Sequence, residues 1–250
     1  MVAYKGTRAG NLRQYVSNKP DKWGFKIFCR SSSTEIIHDM LLYQGSSTFF
    51  NVSLSSQEQS LLLGAKVVLT LSRTTDKPHH SVLFFDNFFT NYNLIEFMKA
   101  ELNIHCVGTV RANRSGGANC FLQEDKILSK EKQGAIDCCS SAGVTAVKWH
   151  DNECVTLLSN AYGVEPLSYV QRYHAEEKKR CQLPVQQLHR HTMSTWAGLI
   201  CLVCWCTSTR PHQCPADASR DSPRVSTCGH CACHTCVVSV GCGGYCYSGF

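Results

Sequence analysis

The sequence predicts an α/β protein built around a mixed sheet. Three consecutive segments carry this prediction: the apolar run 82–85, a stretch with apolar residues at helical spacing, and a second apolar run at 104–110. Short apolar runs between polar residues are typical of buried strands, whereas apolar residues three or four positions apart indicate an amphipathic helix. A strand, a helix and a strand in this order predict a βαβ unit with parallel strands.

The helix of this unit is expected to begin near Thr90 or Asn91, because both residue types are good N-caps. Its apolar stripe consists of Leu94, Ile95, Met98 and Leu102.

Asp86 directly follows the first strand, and open α/β sheets collect their ligands at the carboxyl ends of parallel strands. A carboxylate there can bind a divalent metal, but a single carboxylate rarely makes a metal site. The pattern alone therefore favours a helix-capping role for Asp86.

The remaining elements follow from the same rules. Further strands are predicted at 12–16, 24–29, 36–43, 144–149 and 154–159, with turns between them. A helix is predicted at 56–71 despite Gly64, and a polar loop at 126–134. Trp149 alternates with polar neighbours and is expected in the core.

The charge of the chain suits a nucleic-acid partner without requiring one. The 250 residues can form one sizeable domain, the formal net charge is +6, and the sequence pI is about 8.5. Basic residues occur early in the chain, at Lys5, Arg8, Arg13, Lys19, Lys22 and Lys26, and again beside the predicted βαβ unit and at 178–180. Arg111 and Arg114 follow the second strand, where they either contact phosphate or form a solvated face.

Several motifs in register give a more specific hypothesis. The segment DNFFTNYNLIEFMKAELNIHCVGTVRANR at 86–114 follows VAYKGTRAGNLRQYVSNKPDKWGFKIF and HDMLLYQG, and precedes GAIDCC, AVKWHDNECVTLLSN, GVEPLSYVQRY and EEKKRCQLP. In this order they resemble the piggyBac transposases and their transposable element-derived relatives. The resemblance covers residues 1–190, about three quarters of the chain.

The resemblance implies an RNase H-like (DDE transposase) domain, a mixed sheet with flanking helices. In that family three aspartates hold two divalent metals, Mg²⁺ or Mn²⁺, for DNA cleavage and strand transfer. Asp86 matches the second aspartate and would be a catalytic metal ligand. The first would precede Met1, and the third, in a Met-Gly-Gly-Val-Asp motif, is missing from this sequence. The remaining candidate carboxylates are expected to be ordinary surface, turn or loop residues: Asp39, Asp125, Asp137 and Asp151.

Residues 191–250 differ in composition from the rest of the chain. They contain no Lys, no Glu and ten of the seventeen cysteines. Codons permitted for 191–201, read from each third base, can encode the missing Met-Gly-Gly-Val-Asp motif. We therefore expect a frameshifted or mis-spliced tail that is poorly ordered from 207 to 250, with at most a short helix near 196–205.

Two features of this tail could suggest a function of its own. Cys228, Cys231, Cys233 and Cys236 have spacings that suit zinc, but an arbitrary reading frame also gives such a composition, so zinc is the less favoured interpretation. The apolar stretch 196–206 is about half the roughly 20 residues of a membrane-spanning helix, and no membrane association is expected.

The predicted function is that of a degenerate piggyBac transposase-derived protein without DNA cleavage or strand transfer. The first alternative is a retained DNA-binding or protein-interaction module that uses Arg111 and Arg114. A weaker alternative is a fragment of an active cut-and-paste transposase. DNA as partner and a nuclear location are implied by the resemblance.

Overall fold

The protein, represented by a computed structural model, is described for residues 2–17, 21–34, 36–174, 178–186 and 234–240. In chain order the strands are β1 (Val2–Ala3), β2 (Arg13–Tyr15), β3 (Trp23–Phe25), β4 (Ile27–Ser32), β5 (Ile37–Leu42), β6 (Ser81–Phe85), β7 (His105–Thr109), β8 (Ile136–Ser141), β9 (Val144–His150), β10 (Cys154–Ser159), β11 (Leu167–His174), β12 (Lys179–Gln186) and β13 (His234–Val240). The helices are α1 (Ser56–Ser60), α2 (Leu63–Ser72), α3 (Tyr92–Leu102) and α4 (Asp125–Leu128).

An eight-stranded mixed sheet forms the centre of the fold, as the sequence predicts. Its strand order is β5-β4-β13-β6-β7-β10-β9-β8. The three inner strands β13, β6 and β7 are parallel, and the strands on either side pair antiparallel. A small sheet of β1, β3 and β2 and a hairpin of β11 and β12 accompany it.

The predicted βαβ unit is present as β6, α3 and β7. All five residues of β6 are buried, because both faces of the sheet are covered: Leu83 and Phe85 belong to one apolar cluster, and Val82 and Phe84 to the other. Side chains of successive strand residues point to opposite faces, so a strand covered on both faces has a continuous apolar sequence.

The helix α3 begins and ends where its sequence favours it. The Asn91 side chain accepts a 2.8 Å hydrogen bond from the Leu94 amide, which makes Asn91 the N-cap. At the other end Asn103 adopts the left-handed conformation with φ of 47°, a conformation that Asn tolerates better than most residues. The buried face of α3 consists of Leu94, Ile95 and Met98.

The single helix predicted at 56–71 is wrong, because the structure contains two helices there. The first, α1, is held by a capping box in which Ser55 accepts from the Glu58 amide and the Glu58 carboxylate accepts from the Ser55 amide. Leu61 and Leu62 are both extended between the helices. In α2, Gly64 lies against the backbone of Phe88 and Phe89, and a Cβ atom there would lie 2.9 Å from Cα of Phe89. Glycine is therefore required by a close tertiary contact.

The polar loop predicted at 126–134 is also partly wrong, since α4 covers its beginning. Leu128 is fully buried. Its burial favours a helical turn here, although the polar residues around it do not indicate one. The ammonium of Lys148 on β9 lies 2.8 Å from an Asp125 carboxylate oxygen and 2.8 Å from the Gln123 carbonyl. Trp149 is buried, as predicted.

In the tail, residues 234–240 form β13 and lie between β4 and β6. The composition predicts irregular structure here, but four of the seven residues are β-branched and none carries a formal charge, which favours a strand. The expected helix near 196–205 and the rest of the tail lie outside the described residues, so the frameshift hypothesis and the expected disorder there stay predictions.

Candidate functional site

Asp86 lies immediately after β6, at the carboxyl end of the parallel strands. Phe85, the last residue of β6, pairs in register with Gly108 of β7 and with Val238 of β13. The turn that follows packs directly on β7, because a Cβ atom at Gly108 would collide with the Thr90 hydroxyl. This close packing places Asp86 at the sheet edge where the sequence predicts it.

The Asp86 carboxylate organises its own turn and does not cap α3. Its Oδ1 atom accepts a 2.8 Å hydrogen bond from the Phe88 amide, and its backbone carbonyl accepts one of 2.8 Å from the Thr90 hydroxyl. The helix cap is Asn91. The capping role that the pattern favours for Asp86 is therefore wrong, because Asn91 already satisfies the first turn of the helix.

The electrostatic environment of Asp86 is mixed. Burial raises the pKa of this carboxyl above its ordinary value, while the amides of Phe88 and Phe89 and the charges of Arg111 and Lys26 act in the opposite direction. Desolvation penalises the charged form, and nearby cations favour it. Asp86 is thus a half-buried carboxyl facing positive charges.

Arg111 and Arg114 lie on the other side of this turn, and the structure distinguishes them. Arg114 donates from Nη1 to the Phe88 carbonyl at 3.0 Å and to the Asn87 carbonyl at 3.4 Å, so it braces the turn. Arg111 is exposed, and among the described residues its Nη2 donates to Asn87 Oδ1 at a long 3.5 Å. Of the two guanidinium groups, that of Arg111 is the more available to an external anion.

Lys26 is a third basic residue at this edge, and the sequence did not single it out from the other early basic residues. It lies between β3 and β4, and β4 runs antiparallel to β13, so the start of β4 is at the same edge as the end of β6. The sequence could not place Lys26 at this edge, because the strands that pair with β4 are set by the strand order of the folded sheet. We refer to Asp86, Lys26, Arg111 and Arg114 as the Asp86 site.

The other candidate carboxylates have structural partners, as expected for ordinary turn and surface residues. Asp39 accepts from the Thr74 hydroxyl at 2.7 Å, Asp125 pairs with Lys148 at 2.8 Å, Asp137 accepts from the Gln123 amide at 2.6 Å, and Asp151 pairs with Arg172 at 3.2 Å. In the part of the chain that the structure describes, no three His, Cys, Asp or Glu side chains come together as a metal site.

The Asp86 site does not fit two divalent cations. Mg²⁺ and Mn²⁺ prefer oxygen ligands, principally carboxylates, and the described residues supply one carboxylate with the charges of Lys26 and Arg111 near it and Arg114 on the same turn. This donor set is chemically suited to an anion.

Three of the four candidate zinc cysteines, Cys228, Cys231 and Cys233, lie outside the described residues. Cys236 lies in β13. No described helix has the length and apolar composition needed to cross a membrane.

The chain belongs to a transposase family. A family model described as transposase IS4 matches residues 1–196, which include every described element except β13. The relatives identify this family as the piggyBac type, which confirms the resemblance inferred from the motifs.

Two human relatives are similar over the same part of the chain. PiggyBac transposable element-derived protein 2 from Homo sapiens is 31% identical over 189 residues, covering 73% of this chain and 30% of the relative. PiggyBac transposable element-derived protein 3 from Homo sapiens is 29% identical over 188 residues, with the same coverage. The chain therefore spans about a third of the length of these relatives.

A solved structure supports the fold. A piggyBac transposase, determined by cryo-EM as a synaptic complex with hairpin DNA, matches with a TM-score of 0.54 and 22% identity. The match covers 80% of this chain and 39% of the transposase chain. It confirms the α/β mixed-sheet fold.

Proposed function

We propose that this chain is a transposase-derived DNA-binding domain that does not cleave or join DNA strands. The observation that carries the proposal is the composition of the Asp86 site: one carboxylate that faces the charges of Lys26 and Arg111, on a turn that Arg114 braces. The similar transposase structure is a complex with hairpin DNA, which supports the choice of partner. A nuclear location, implied by the family, is part of the same proposal.

The absence of cleavage follows from the requirements of two-metal chemistry. Two cations about 3.5–4 Å apart must stabilise both the attacking and the leaving oxygen of the phosphodiester. Carboxylates have to neutralise and position these cations. Among the described residues the site holds one carboxylate, that of Asp86, which supplies too little negative charge, and the nearby Lys26 and Arg111 further disfavour a second cation.

DNA binding requires no metal ions at the site, only basic side chains that can reach backbone phosphates. Each Lys or Arg that neutralises a backbone phosphate releases condensed counterions, which gives affinity without any base-specific contact. Arg111 is exposed beside the turn of Asp86, and Arg114 holds that turn in place. The proposal therefore predicts salt-dependent binding with little sequence preference.

The binding experiment is a titration of a fluorescent DNA duplex followed by anisotropy at several salt concentrations. Arg111→Ala should weaken binding about tenfold and reduce the slope of log K against log salt by about 1. Lys132→Ala is a matched control: it is exposed and precedes β8, four strands and about 19 Å from β6. Equal effects of the two variants, or no binding by the unmodified chain, would contradict DNA binding at this site.

The cleavage experiment is incubation of supercoiled plasmid with the chain in Mg²⁺ or Mn²⁺. No nicking above the buffer background is expected. Nicking that disappears in Asp86→Ala but persists in Asp21→Ala, an exposed aspartate elsewhere in the chain, would show that the site is catalytic and that the proposal is wrong.

A further inference from the structure

The side chain of Lys26 lies against three aromatic rings and is half-buried. Its Nζ atom lies 5.0 Å from the ring centroid of Phe28, 5.2 Å from that of Tyr43 and 4.7 Å from that of Phe88. Each distance is within the roughly 6 Å range of a cation–π interaction. We call Phe28, Tyr43 and Phe88 the Lys26 cage.

The cage joins two parts of the molecule. Phe28 belongs to β4, Tyr43 follows β5, and Phe88 belongs to the turn after Asp86. The rings of Phe28 and Phe88 are stacked with centroids 6.2 Å apart, and Tyr43 meets Phe28 edge-on at 6.0 Å. The Tyr43 amide also donates to the Lys26 carbonyl at 2.9 Å. The position of the ammonium is therefore set by both the β4–β5 hairpin and the Asp86 turn.

The hydrogen-bonding capacity of this ammonium is not used within the described residues. No hydrogen bond or ion pair to Nζ occurs there, and the charge of Lys26 acts on the Asp86 carboxyl through space, beyond salt-bridge distance. Aromatic faces attract a cation but accept no strong hydrogen bond. The three N–H donors of Lys26 thus remain available to an anion.

We propose that Lys26 is a phosphate-positioning residue of the Asp86 site, where the cage holds its ammonium ready to bind a backbone phosphate of DNA. This inference rests on the DNA-binding function proposed above and adds a second contact to that of Arg111. An ordinary surface lysine loses side-chain freedom when it binds. The cage has already restricted Lys26, so less entropy is lost on binding.

Substitution of Lys26 distinguishes phosphate binding from a purely structural role. Lys26→Met keeps an unbranched apolar stem against the rings and removes the charge, and Lys26→Arg keeps the charge. If Lys26 only stabilises the cage, Lys26→Met lowers the melting temperature and leaves the salt dependence of binding unchanged. If Lys26 binds phosphate, the salt dependence changes as well.

The test measures duplex affinity against salt and melting temperature for the full chain. Lys26→Met should weaken binding about tenfold and reduce the salt slope by about 1, whereas Lys26→Arg should keep the slope. Lys22→Met, an exposed lysine four positions earlier, is the matched control and should change less. An unchanged slope in Lys26→Met, alongside a reduced slope in Arg111→Ala, would overturn the Lys26 proposal and leave DNA binding standing.

A second measurement separates the two proposals if the unmodified chain does not bind the duplex. Inorganic phosphate is titrated while the Lys26 ammonium signal is followed by NMR, with Lys22 as internal reference. A saturable shift of Lys26 alone would retain the anion site while DNA binding fails. No shift of Lys26, or equal shifts of both lysines, would overturn the anion site too.

Discussion

The β6–α3–β7 unit and the β4–β13–β6 part of the sheet meet at Asp86, but they are built differently. The first is contiguous in sequence and has matching local signals, namely an Asn cap and buried apolar residues in both strands. The second places a strand from residues 234–240 between two strands that lie more than 140 positions earlier. Asp86 belongs to the local unit, whereas Lys26 reaches the same edge only through the non-local one.

This comparison indicates which residue of the Asp86 site keeps its position most easily when other parts of the chain are changed. Local contacts form with little loss of chain entropy, whereas a distant strand must close a long loop before its hydrogen bonds form. The position of Asp86 should therefore be less sensitive to changes elsewhere than the position of Lys26 relative to it. The following variants test this difference, in order of decreasing expected effect.

The largest effect is expected for Phe85→Ala in β6. The Phe85 side chain is 1% exposed and lies in the main core cluster, so its removal should lower the free energy of unfolding by about 3–5 kcal/mol. Urea denaturation measures the change. Phe121→Ala is the control, because Phe121 is 80% exposed, and a similar loss in both variants would contradict the core assignment.

The next effect concerns β13. As an interior strand it pairs on both sides, with β4 and with β6, and Pro removes a backbone donor that such a strand needs. Val238→Pro should destabilise the full chain by about 1–3 kcal/mol, while Val238→Thr keeps the amide and serves as control. If both variants unfold at the same urea concentration, β13 does not complete the sheet.

A smaller effect is expected at the start of α3. Asn91→Ala removes the side-chain acceptor of the Leu94 amide and should cost about 1 kcal/mol. Asn91→Ser restores a capping oxygen and should recover most of the stability in the same denaturation experiment. Failure of Ser to recover it would show that Asn91 acts by some other contact.

The smallest effect is the pH dependence due to Asp86. Because burial raises the pKa of Asp86 in the folded state, the folded protein holds this proton more tightly than the unfolded chain. The stability contribution is therefore fully present below the unfolded pKa and is lost as pH rises through the folded value. Asp86→Asn should melt at a higher temperature than the unmodified chain at neutral pH.

That difference should shrink in acid, where the Asp86 carboxyl is protonated. Asp21→Asn, at an exposed aspartate, is the control and should show no such trend. If Asp86→Asn instead melts at a lower temperature than the unmodified chain at neutral pH, the attraction of Arg111 and Lys26 for the ionised carboxylate outweighs burial.

The elements predicted correctly were those with strong local signals. The strands that became β6 and β7, the helix α3 and the buried Trp149 all follow from apolar periodicity and turn residues. Two other predictions were less accurate: the single helix at 56–71 and the polar loop at 126–134. The break at Leu61 and Leu62 depends on how α2 packs against the Asp86 turn through Gly64, and α4 depends on the burial of Leu128.

The amino-acid sequence by itself determined the fold class, the family and the place of Asp86 at the end of a strand. These properties depend on neighbouring residues and on motif order, both of which a linear chain records directly. Only the tertiary structure decided that β13 lies between β4 and β6, and that Lys26 lies in an aromatic cage near Asp86. Strand order and contacts between distant side chains depend on how elements pack together, and local sequence does not encode that packing by itself.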